Sequence, residues 1–135
     1  MAGTVTITRQ DIPGLSRAKI GEIVTLTCVG DSSNGSFPAT TIPGLQGFIV
    51  KVITKPGATN PTANYDIALY SPLASTLDSL GGALADRSAS TAEQKAPVLS
   101  GATCPVFVSG DYSFAITNNS VASAQITVYM FILNQ

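Results

Sequence analysis

The side chains able to do chemistry are few, and their spacing gives them little to do. No histidine occurs among the 135 residues. That removes the commonest general base, the Ser-His and Cys-His nucleophile pairs, and most zinc sites. The carboxylates are scattered: Asp11, Glu22, Asp31, Asp66, Asp78, Asp86, Glu93 and Asp111. Two of them meeting in the fold would allow glycosidase-type acid–base work, but nothing in their spacing pairs them, and solvated or turn-stabilising roles fit better. Asp78 and Asp86 flank Gly81-Gly82, which makes a calcium loop conceivable. They lack the every-other-residue ligand pattern such loops use. Gly81-Gly82 also lacks the following lysine and the strand-to-helix setting of a phosphate loop. Cys28 and Cys104 are isolated and form no metal clip; Cys28 alternates with Val24 and Leu26 and reads as a reduced core thiol. The expectation is a chain with no enzymatic activity, no cofactor and no metal.

The totals narrow the partners. Seven basic residues against eight acidic ones give a net charge of −1, with no basic cluster to meet a phosphate backbone or an anionic bilayer. Nucleic acid and membrane are therefore not expected partners. The four tyrosines are spread along strand-like runs and make no stacking platform for single strands. MAGTVTITRQ lacks the apolar stretch behind a basic start that marks a signal peptide, and no apolar run nears the ~20 residues of a membrane helix. Without an export signal, Asn34-Gly-Ser36 and Asn118-Asn-Ser120 read as turns and not as glycosylation sites. Charged residues are only 11% and mean hydropathy is +0.30. A lone monomer usually carries more surface charge, so the balance favours a surface partly covered by copies of itself or by a partner. The competing account is a monomer kept soluble by its Ser, Thr and Asn side chains.

The elements that would position these residues are strands. Phe48–Lys55 and Tyr65–Tyr70 flank the breakers Pro56-Gly57 and Asn60-Pro61, which predicts a central hairpin with a long, stiffened loop. Alternation separates Phe48, Val50, Val52 and Thr54 from Ile49, Lys51, Ile53 and Lys55, and Tyr65, Ile67 and Leu69 from Asp66, Ala68 and Tyr70. Upstream, Val5 and Ile7 alternate with threonines until Asp11-Ile-Pro-Gly14, and Lys19–Val29 forms the next strand. Asp31–Ser36 is a turn, and Pro38 and Ile42-Pro43-Gly44 carry the chain across to the hairpin. Residues 71–97 are an irregular excursion. Leu73, Leu77, Leu80 and Leu84 have helical spacing, and Ser90-x-x-Glu93 has capping-box form. Gly81-Gly82 and Pro97 limit this to one short helix plus a short strand. Cys104–Val108 restores order, Gly110-Asp111 reads as a turn, and Tyr112, Phe114 and Ile116 alternate into the next strand. In the final strand Ile126, Val128, Met130 and Ile132 oppose Thr127, Tyr129, Phe131 and Leu133, so both faces are apolar from Val128 onward. Such a strand is buried twice over or meets another subunit. The prediction is one all-β domain over residues 1–135, a β-sandwich or jelly-roll-like fold of about seven or eight antiparallel strands.

The stretch GFIVKVITKPGATNPTANYDIALYSPLASTLDSLGGALADRS resembles small structural proteins of tailed bacteriophages. The residues that carry the likeness are Phe48–Thr54, Pro56–Thr62, Asn64–Ile67, Leu80–Arg87 and the late Ile116–Val121. The resemblance implies a virion protein assembled in the host cytoplasm, foremost a capsid decoration (cement) protein, with a neck, head-fibre or tail component as the alternative. It implies no catalytic residues. Its partners would be itself, as a trimer before a dimer, and the major capsid protein or other virion proteins. Candidate contact residues are Tyr129, Phe131 and Leu133 on the last strand, Pro56, Asn60 and Pro61 in the loop, and Leu80, Leu84 and Arg87 in the excursion. A further alternative, a carbohydrate-binding or adhesin-like sandwich, would want an export signal and exposed aromatics; the chain has no tryptophan.

Overall fold

The computed structural model describes residues 1–14 and 19–134. In chain order the strands are β1 (Thr4–Pro13), β2 (Lys19–Val29), β3 (Thr40–Pro56), β4 (Asp66–Ser71), β5 (Ala74–Asp78), β6 (Glu93–Lys95), β7 (Val98–Leu99), β8 (Ala102–Thr103), β9 (Val106–Thr117) and β10 (Gln125–Leu133). The fold is all-β and sandwich-like. Seven strands run in the order β1-β2-β10-β3-β9-β4-β5, β6 adds to β3 as an eighth, and β7-β8 form a separate small hairpin. The expected strand count and the antiparallel pairing are therefore seen. The helix expected between 71 and 97 is not: the described residues contain none.

Strand β3 organises the rest. Its first half, Thr40–Ile49, pairs with β9, and its second half, Phe48–Pro56, pairs with β10. It belongs to both halves of the molecule, and its bends let one continuous sheet fold over a single core. One bend is at Pro43-Gly44, where Ile42 faces Tyr112 but Leu45 faces Gly110, leaving one extra residue on β3. Gly44 takes φ +60° there, a left-handed conformation that costs glycine nothing and other residues more. A second bulge lies opposite Phe131/Ile132, between Ile49 and Lys51. It shifts the alternation predicted for Phe48–Lys55. Ile49, Val52 and Thr54 point inward, while Phe48, Lys51, Ile53 and Lys55 are exposed or half-buried.

The predicted central hairpin is not formed. β9 lies between β3 and β4, pairing with both. The alternation held for Tyr65–Tyr70 and is broken at the bulge in Phe48–Lys55, but pairing partners depend on which strand best fills the core, and the later chain supplied β9. Gly110-Asp111 is likewise no turn: β9 runs straight through it, with Gly110 at φ +112° opposite the β3 bulge. Pro43-Gly44 is inside β3, and β1 continues to Pro13.

The core is one contiguous cluster. Val24, Leu26, Ile42, Leu45, Ile49, Tyr65, Leu69, Val108, Phe114, Val128, Met130 and Ile132 are at most 1% exposed, and Val5, Ile7 and Phe37 pack against its rim. Each such large side chain contributes about 1.5–3 kcal/mol relative to exposure. The excursion contributes too. Leu80 and Leu84 are 0% and 1% exposed, whereas Leu73 and Leu77 are 96% and 67% exposed. The helical spacing is thus incidental: the first two leucines stand on the exposed β4-β5 turn and edge strand β5, and the last two are carried inward by the turns that follow. Glu93, the supposed capping residue, sits in β6 and accepts the Ser88 backbone N–H at 2.7 Å.

Candidate assembly face and the fate of the polar residues

The carboxylates are placed singly and used structurally. Glu22, only 5% exposed, accepts two bonds from Arg9, at 2.5 Å (Nη2) and 3.1 Å (Nε). Arg9 also donates to the carbonyls of Pro43 and, at 3.1 Å, Gly44. One guanidinium thereby ties edge strand β1 to the bend of β3. Asp111 Oδ1 accepts the Gly44 N–H at 2.8 Å from across that bend. Asp78, half of the conceivable calcium loop, accepts the backbone N–H groups of Leu69, Leu80 and Gly82, each at 3.0 Å. Asp86 donates its N–H to Asp66 Oδ1 at 2.8 Å. Asp31 closes its turn by accepting from the Ser33 and Asn34 N–H groups, which hold its carboxyl below the usual carboxylate range. Among the described residues, no three of His, Cys, Asp and Glu gather where a metal could be held.

Cys28 and Cys104 are free thiols. Burial pushes the Cys28 thiol up to about 12, so it is protonated and inert at neutral pH. Beneath β6 lies a buried polar group. Arg87 is 7% exposed, its Nη1 is 3.4 Å from Glu93 Oε1, and its Nε and Nη2 donate to the Ala85 carbonyl. Tyr65, fully buried, accepts the Arg87 backbone N–H at its carbonyl at 2.8 Å, and burial raises its phenol pKa. This cluster anchors the excursion to the core.

The predicted contact residues divide accordingly. Tyr129, Phe131 and Leu133 share the outward face of β10 and are half-buried. Register brings other apolar side chains beside them, unannounced by the sequence. Phe131 pairs with Ile23 on β2, Tyr129 with Ile53 on β3, and Leu133 with Phe48, which in turn pairs with Phe107 on β9. Phe48 and Phe107 meet edge to face at 5.3 Å and are 38% and 53% exposed. Lys51 Nζ lies 4.7 Å above the Phe131 ring, a cation–π contact that covers part of it. The result is an apolar strip crossing four strands on the sheet's outer surface.

The other predicted contact residues do not join it. Leu80, Leu84, Arg87 and Pro61 are buried, spent inside the fold and not offered to a partner. Asn60 is exposed and Pro56 half-buried, but their loop is fastened down. Gly57 N–H donates to Gln125 O at 2.7 Å, Gln125 N–H to Thr59 O at 2.8 Å, and Thr62 N–H to Asn119 Oδ1 at 2.8 Å. The signal that would have found Phe48 and Phe107 is cross-strand register, which no single-strand periodicity contains. No protein-family model matches this chain, and no curated protein or solved structure matches it either.

Proposed function

We propose that this chain is a non-enzymatic structural protein of a tailed bacteriophage, a capsid decoration protein that binds and stabilises the head lattice. The observation that carries the reading is the outward apolar strip of Tyr129, Phe131, Leu133, Ile53, Phe48 and Phe107. A strip of this kind, on a chain with few charges, suits a piece that adheres to copies of itself and to a repetitive surface. The phage assignment comes from the resemblance of Phe48–Arg87 to small virion proteins. In this reading the chain forms a closed homo-oligomer, a trimer before a dimer, and docks on the major capsid protein. Most of the carboxylates are engaged in the bonds and ion pairs described above, and Cys28 is buried, so these groups serve structure in this reading.

The same resemblance supports a neck, head-fibre or tail position as the second reading. Both are tested by reconstruction of the phage particle that contains the protein. Density for the sandwich on the head lattice is the expected result. Density confined to the neck or tail selects the second reading, and absence of the protein from density-purified particles removes both.

A further inference from the structure

The outer surface of the β3-β9-β4-β5 half carries an open groove of about 430 Å³, within the size range of small-molecule sites. Its floor is a row across three neighbouring strands. Thr41 on β3 pairs with Ser113 on β9, and Ser113 pairs with Tyr70 on β4, with strands ~4.8 Å apart. The turn from β4 into β5 raises Pro72 and Ser75 beside this row, and Asp111 completes the lining.

The chemistry of this lining is selective. Among the described residues it holds hydroxyls that both donate and accept, one carboxylate, one phenol ring and one prolyl ring, with no lysine or arginine. A phosphate or carboxylate ligand would find no cation among these residues and would be repelled by Asp111. An acyl chain would strip water from the hydroxyls and return no hydrogen bonds, leaving them unpaired. A neutral sugar meets both requirements. Its hydroxyls pair with Thr41, Ser75, Ser113 and the Asp111 carboxylate, and its C–H face packs on Tyr70 or Pro72. Asp111 is already oriented for this, because Oδ1 holds the Gly44 N–H at 2.8 Å and Oδ2 remains to accept a charge-assisted bond. We propose that this groove binds a neutral mono- or disaccharide unit. The site shares no residue with the β10 strip and stands independently of the assembly reading.

Titration of the isotopically labelled full chain with glucose, galactose, mannose, N-acetylglucosamine and their disaccharides, followed by amide NMR shifts, tests this. Expected are saturable shifts at Thr41, Tyr70, Ser75, Asp111 and Ser113 for at least one sugar, with millimolar or tighter affinity. Tyr70→Ala should weaken binding about tenfold or more. Asp111→Asn, which keeps an acceptor for Gly44, should weaken it less, and Ser75→Trp on the exposed edge strand should abolish it by filling the groove. No saturable shift with any sugar of the panel overturns the proposal. So do shifts centred on β10, unaltered binding in Ser75→Trp, or equal affinity for the matching uronic acid.

Discussion

Cys28 shows how one buried side chain sets a pH limit on the fold. Burial pushes its thiol up to about 12 when folded, against ~8.5 when unfolded. A pKa raised in the folded state means full stability below the unfolded value and loss as pH climbs toward the folded one. Burial raises the Tyr65 phenol in the same direction. Denaturant midpoints should therefore hold at neutral pH and fall above about pH 8.5, with a slope of up to ~1.4 kcal/mol per pH unit from the thiol. Cys28→Ala should flatten that slope. Native alkylation followed by mass spectrometry should mark Cys104, which is partly exposed, well before Cys28; equal labelling of the two would contradict this burial. Arg9 makes the complementary case. With its side chain 31% exposed and Glu22 6% exposed, Arg9→Ala leaves a buried carboxylate whose remaining cationic neighbour among the described residues is Lys19, at 3.9 Å. The loss should be about 1–3 kcal/mol in urea unfolding, below that of a fully buried pair because the guanidinium is partly screened. Adding Glu22→Leu should recover part of it. Asp, Glu and Arg positions were visible in the sequence, but the cross-bend clamp they build was not, since Arg9 and Gly44 meet only after β3 has bent.

At the scale of the element, β10 was the most legible piece and β3 the least. The strict alternation of Ile126–Leu133 fixed which side faced in, and the buried class follows it residue by residue. On the assembly reading, Phe131→Asp should accordingly leave the core intact, shifting the thermal midpoint little, while weakening self-association in sedimentation. A folded Phe131→Asp variant that still assembles like the wild type would exclude the strip as the contact. The excursion behaves differently, because close approach and not periodicity shapes it. Gly81 has φ +65°, and a Cβ there would overlap the Val98 carbonyl oxygen. Val98 N–H also donates to Leu80 O at 3.0 Å, so this glycine fixes the seat of the β7-β8 hairpin. Gly81→Ala should cost about 2 kcal/mol or more from strain and the forced shift, read as a lower thermal midpoint. Gly82→Ala, with φ +80° and nothing near a Cβ, carries the backbone penalty alone and should cost less.

For the whole molecule, the charge balance bears on how it would hold a partner. Only fifteen side chains are charged (seven basic and eight acidic), and four ion pairs are made inside the chain among the described residues. Exposed pairs contribute about 0–1 kcal/mol each and are screened, the Debye length falling to ~3 Å at 1 M salt. Apolar contact is not screened and contributes ~25 cal/mol per Å², less association costs. Repetition strengthens it further, since an oligomer gripping several lattice subunits gains effective concentration at each contact. On the decoration reading, particles washed in molar salt and pelleted should therefore retain the protein. Its release from intact capsids would mean that ion pairs, and not the β10 strip, carry the attachment.

The sequence by itself determined that this chain is all-β, where most strands run and which side of β2, β4, β9 and β10 enters the core. Those features depend on residue type and a two-residue period, which are local. The tertiary structure decided the rest. Strand order put β9 between β3 and β4, because hydrogen-bonding edges are alike and only global packing of the core chooses among them. The bulge of β3 at Val50 put Phe48 on the outward side with Lys51, Ile53 and Lys55, and Ile49 inside with Val52 and Thr54, while the excursion buried Leu80 and Leu84 and left Leu73 and Leu77 in solvent. The apolar strip and the hydroxyl-lined groove exist only as rows across strands, fixed by register between segments as far apart in the chain as Thr41 and Ser113.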